Sequence, residues 1–171
     1  MADFKPVFDK MVLDEGGLKL HTVEGDRGGQ TYGGIARNYN PSWPGWGFID
    51  RGEEPPVQLV YDFYRDAYWV PIRGDDLPQR IADSIFNFAV NSSAPFRPTL
   101  AVKLAQTVVG VTPDGALGPR TVTALNAVDE GLFIAHYTLA KIARYRDIVQ
   151  RDRTQQKFFL GWVSRALRGL S

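Results

Sequence analysis

A break in rhythm constrains this chain more than any other feature. Apolar residues recur at the helical period along most of its length, but between Gly16 and Pro55 that period stops and Gly, Pro, Asn and Asp take over. Such a pattern predicts packed helices with one irregular lobe inserted near the start. Before the break, Phe4, Val7, Phe8, Met11 and Val12 fall on one face of a helix over 3–15, with Asp3 placed to cap it and Gly16-Gly17 to stop it. Inside the lobe, LKLHTV and QTYGGIA read as short hairpin strands. Beyond it, helices are expected from Val57 to Pro71, from Pro78 through Ala89 and beyond, and from Pro98 to Val109. Three more follow, over 120–128, 130–150 and 155–168. The fold class is mainly α, an α+β chain with a small hairpin lobe near the N-terminus.

Composition limits what such a fold can do. In 171 residues, 44% are hydrophobic and 12% aromatic, enough for one core and far from the signature of disorder. The net charge of +1 gives no global field toward nucleic acid, so none is expected as a partner. Its distribution is uneven: from His136 onward eight Lys and Arg stand against two acids, which leaves the preceding part negative. The basic helices at the end read either as core packing with a solvated basic face or as a patch for an anionic wall or membrane. With no cysteine and only His21 and His136, neither a disulfide nor a structural metal site is expected. The N-terminus lacks the apolar stretch of a secretory signal, so synthesis in the cytoplasm is expected.

Glu15 is out of place. On a helical wheel it falls within about 20° of Phe4, in the middle of the apolar stripe. Burial and the negative end of the helix dipole would both raise its pKa, as a general acid requires. The alternative is a frayed end residue facing water. Hydrolysis of a glycosidic bond calls for a second carboxylate in most enzymes, and Asp26 in EGDRGGQTYGG is the candidate, with Glu24 and Asp14 as rivals. Asp26 reads equally as a turn residue bonding its own backbone. Thr31 carries a hydroxyl able to hold water or orient a carboxylate. Tyr32, Tyr39, Trp43 and Trp46 suit stacking on sugar rings, or else form a local core beneath the loop. Asp83, Asn87 and Asn91 recur every four residues, either facing water or flooring a cleft. VTPDGALGP lacks the acids of a calcium loop and GGQTYGG the Lys of a phosphate loop, so both read as turns.

The ordered set DEGG, DRGGQTYGGIA, NPSWPGW and FYRDAYW resembles the glycoside hydrolase family 108 muramidases of the lysozyme superfamily. SIFNFAVNSS, VGVTPDGALGP and KFFLGWVSRAL extend the resemblance through the helical region described in that family as a predicted peptidoglycan-binding domain. The resemblance implies one lysozyme-like unit over 1–171, with a catalytic lobe over 1–75 and a helical, peptidoglycan-binding region over 76–171. It implies Glu15 as proton donor, in order with Asp26 and Thr31, and Tyr32, Tyr39, Trp43, Trp46, Asn87 and Asn91 as glycan-holding residues. Two departures stand out: Arg27 where many members have Pro, and YGGI where many have a single Gly. The implied activity is cleavage of the β-1,4 bond between N-acetylmuramic acid and N-acetylglucosamine, by a phage or bacterial endolysin. A lytic transglycosylase or a non-catalytic wall-binding protein are the alternatives. No cofactor or metal is implied. Peptidoglycan is the expected partner, with a holin or secretion machinery for release to the wall and a monomer as the working state.

Overall fold

A computed structural model describes residues 1–14, 17–22 and 28–170, with only the backbone of Asp14. Glu15, Glu24, Asp26 and Arg27 lie outside the described residues. The first helix, α1 (Phe4–Asp14), starts where Asp3 accepts a hydrogen bond from the Lys5 amide at 2.9 Å. After it Gly17, at φ 93°, returns its amide to the Val12 carbonyl at 2.9 Å, a left-handed closure that glycine makes without a Cβ clash. Three short strands follow, β1 (Leu20–Thr22), β2 (Gln30–Tyr32) and β3 (Ile35–Ala36), paired antiparallel in that order. Thr31 stands opposite His21 on one side and Ala36 on the other.

The YGGI departure has a local cause. Gly33 and Gly34, at φ 53° and 80°, form the two-residue turn between β2 and β3, and both positions of such a turn need positive φ. The Tyr64 hydroxyl donates to the Gly33 carbonyl at 3.0 Å, so a side chain on Gly34 would strike that hydroxyl. Two glycines there let the hairpin dock against a helix.

That helix is α3 (Val57–Tyr64), after the single turn α2 (Trp46–Ile49). The expected continuous helix to Pro71 is instead widened at Arg65–Trp69 into a π turn, closed by the Val70 amide on the Arg65 carbonyl at 2.8 Å. One residue more per turn rotates the aromatic and acidic side chains that follow, and such turns cluster at functional sites. Then come α4 (Gln79–Ser92), α5 (Thr99–Val108), α6 (Pro119–Ala127), α7 (Glu130–Arg151) and α8 (Gln156–Leu167). Pro119 opens α6, where its missing N–H costs nothing, and the Asp129 carboxylate caps α7 through the Leu132 amide.

α4 is the central helix. It buries Ile81, Ala82, Ile85, Phe86, Phe88 and Ala89 against α5, α7 and the π turn. Phe86 lies 5.4 Å from Phe4, which also packs on Tyr61 and Trp69. A reciprocal pair of hydrogen bonds between the Asp3 backbone and the Gln79 amide ties the start of α1 to the start of α4. No described helix is long and apolar enough to cross a membrane.

α8 differs from the expectation of a fully packed stripe. Phe159, Trp162 and Val163 are half-covered and Ala166 is buried, but Leu167 and Leu170 stay exposed, as do Phe158 and Leu160. The helix rests mainly on α7, through Trp162 on Tyr145 at 5.4 Å, and a helix with one main partner covers only one stripe.

Candidate active-site groove

Where the hairpin lobe meets α3, the chain leaves an open groove of about 1010 Å³. The lobe wall holds Gly34, Ala36, Tyr39, Asn40 and Trp43. The helix wall holds Asp62, Phe63, Tyr64, Asp66 and Tyr68, and Val90, Ser93 and Phe96 close the end.

The lobe wall is braced from behind by aromatics. Tyr32 stacks on Trp43 at 6.0 Å, and Trp43 meets Trp46 edge-on at 5.1 Å. Both indoles spend their N–H groups inside, Trp43 on the Leu59 carbonyl at 3.2 Å and Trp46 on the Asn40 carbonyl at 2.8 Å. The Arg37 guanidinium lies over Trp46 while bridging to Asp50 at 2.7 Å. Tyr32, Trp43 and Trp46 are each under a tenth exposed, which favours the local-core alternative over faces offered to sugar, with Trp43 still bordering the groove. They are the local core that holds the lobe's shape, because few aliphatic residues are near to do so. Tyr39 is the exception, 65% exposed on the groove.

The helix wall follows from the π turn. Tyr64 and Tyr68 stack at 5.9 Å, and burial pushes the Tyr68 phenol up to about 12. It is therefore a neutral hydrogen-bonding group at any physiological pH. Asp62 accepts a hydrogen bond from Gln58 at 2.7 Å, and Asp66 is exposed one turn on. At the end wall Phe96 stands at φ 62°, a conformation rare for a bulky side chain and one that marks functional segments. It is held there by its amide on the Ala67 carbonyl at 2.8 Å, and its ring is 59% exposed. The Ser93 hydroxyl, buried beside it, has no hydrogen-bond partner among the described residues.

The remaining expected residues are placed elsewhere. Thr31 is half-buried in β2 and does not line this groove. Asn87 and Asn91 lie on another face of α4 from Val90 and Ser93 and line a second, smaller groove, so they share no floor with Tyr39. Glu15 and Asp26 fall outside the described residues. Asp62, Phe63, Asp66, Tyr68 and Phe96 were not singled out by pattern; the alternation of acids and aromatics in YDFYRDAYW was the signal for the first four, and Phe96 had none.

A small antiparallel hairpin lobe set against a helical bundle, with an aromatic and carboxylate groove between, is the arrangement of a lysozyme-like glycoside hydrolase. The glycosyl hydrolase 108 family matches residues 8–93 and a predicted peptidoglycan domain matches residues 100–167. The chain belongs to the glycosyl hydrolase 108 family, and peptidoglycan is its substrate class. The structure of Brucella abortus SagA is similar: 28% identical, with a TM-score of 0.75, over 98% of this chain and 91% of that one. No curated protein matches the sequence.

Proposed function

We propose that the chain is a muramidase, hydrolysing the β-1,4 bond between N-acetylmuramic acid and N-acetylglucosamine. The observation that carries this is the groove: its volume of about 1010 Å³ stands at the upper end of ligand sites, room for an extended oligosaccharide rather than one ring. Exposed Tyr39 and Phe96 offer flat apolar faces for sugar rings, and Asp62, Asp66 and the Ser93 hydroxyl offer acceptors for hydroxyl and N-acetyl groups. Glu15 is assigned as the acid that protonates the leaving oxygen. The helical spacing of the sequence sets it on the apolar stripe, where burial would favour the protonated form. Asp26 is assigned to activate water or to stabilise the oxocarbenium-like state, with Thr31 as its helper. Release to the wall through a holin or a secretion machine belongs to the same reading.

The test is the mass spectrum of soluble products from purified peptidoglycan, with wild type and Glu15→Gln in parallel. Wild type is expected to release products ending in a reducible N-acetylmuramic acid, and Glu15→Gln none. Products one water lighter would identify a transglycosylase instead, and activity retained in Glu15→Gln would remove Glu15 from its role.

A further inference from the structure

On another face of α4, a groove of about 350 Å³ is bordered by α1, α7 and the C-terminal turn after α8. Its charges are one-sided. Among the described residues, Lys10, Arg80, Lys141, Arg165 and Arg168 line it against a single acid, Asp83, a net of four positive charges. This is where much of the excess positive charge of the chain's end gathers.

One of these charges is not on the surface. Lys141 is 6% exposed, its ammonium 5.0 Å above the Tyr137 ring, and among the described residues it has no hydrogen bond or ion pair. Ser84, 9% exposed on the facing helix, has a buried hydroxyl that also lacks a partner. Asp83 is engaged by Gln79 at 2.7 Å and by the charge of Lys10. A buried ammonium without a counter-charge is costly, and a neighbouring orphan hydroxyl adds to that cost. Both are offset when a ligand brings an anionic acceptor into the groove.

The size and lining select the anion. The volume takes a short branch, not a run of sugar rings. Met11 and Ile134 give it apolar floor, while among the described residues the Asn87 side-chain amide makes no hydrogen bond and that of Asn91 makes a single one, to the Asn87 carbonyl at 2.7 Å. Apolar floor, free amides and a buried cation suit a short peptide with small side chains and a free carboxylate, better than a phosphate. We propose that this groove is a subsite for the stem peptide of peptidoglycan, its carboxylate received by the Lys141 ammonium and the Ser84 hydroxyl and its amide bonds by Asn87 and Asn91. The assignment rests on peptidoglycan being the substrate.

The full-length protein would be titrated calorimetrically with a soluble muramyl tetrapeptide, the same compound with every carboxyl amidated, and inorganic phosphate. Wild type is expected to bind the acid form about tenfold more tightly than the amidated form, the scale of one charge-assisted hydrogen bond. Lys141→Met should lose that discrimination while melting no lower than wild type, since it removes a buried charge. Ser84→Ala should weaken acid-form binding in the same direction. Equal binding of acid and amidated forms, an unchanged Lys141→Met, or phosphate binding as tightly as the peptide would each overturn the subsite. Discrimination without glycan cleavage would leave the subsite standing and remove the muramidase reading; cleavage without discrimination would do the reverse.

Discussion

Lys141 carries its charge inside the protein, and the pH dependence of stability should report it. Burial lowers its pKa from 10.5 to about 8, so at pH values between those two the unfolded chain holds a proton that the folded protein has released. Stability contributed by this group therefore rises with pH across that window. Below about 8 both states are charged and the full penalty remains, roughly 3 kcal/mol at about 1.4 kcal/mol for each pKa unit. Urea titrations of Lys141→Met should show a gain of that order at pH 7 that disappears by about pH 10.5. A second pair of residues separates packing from recognition in the large groove. Trp43→Ala should cost about 3–5 kcal/mol of stability in denaturant, whereas Tyr39→Ala should leave stability unchanged and raise KM for peptidoglycan. From sequence these two aromatics looked alike. What distinguishes them is a carbonyl 16 residues away, Leu59, which takes the Trp43 indole N–H into the interior, and no local pattern contains that. Glu15 is singled out for the opposite reason, an oddity that lies in helical spacing alone, and it lies outside the described residues.

Among the elements, those set by local chemistry matched their sequence signals closely. α1, α5, α6, α7 and α8 begin and end within a few residues of their caps, prolines and glycines. Elements shaped by distant contacts did not. The π turn at Arg65–Trp69 keeps a helical apolar period, so nothing in spacing announces it. The splaying of α4 between two grooves depends on which neighbours reach each face. The β2–β3 turn combines both kinds of cause, since its glycines are local and its tie to Tyr64 is not. Gly34→Ala should therefore cost about 2 kcal/mol or more in urea denaturation, from positive φ together with the collision at the Tyr64 hydroxyl. Adding Tyr64→Phe should recover the collision part and leave the conformational part, which a double-mutant cycle resolves.

Across the whole molecule, the glycosyl hydrolase match and the peptidoglycan-domain match meet between residues 93 and 100, yet their cores are shared. Phe88 packs on Tyr137 and Tyr145, and the Tyr137 hydroxyl reaches the Ala101 carbonyl at 3.0 Å. A fragment spanning 1–98 should thus lack helical signal and cooperative unfolding, while the full chain should give one urea transition by circular dichroism and by tryptophan fluorescence alike. The bond between Asp3 and Gln79 has a consequence in time as well. It closes a loop of 76 residues, and the ring of Phe4 waits for Trp69 and Phe86. Although α1 precedes α4 in the chain, it is accordingly among the last elements to find its seat, once α4 and the helices backing it are in place.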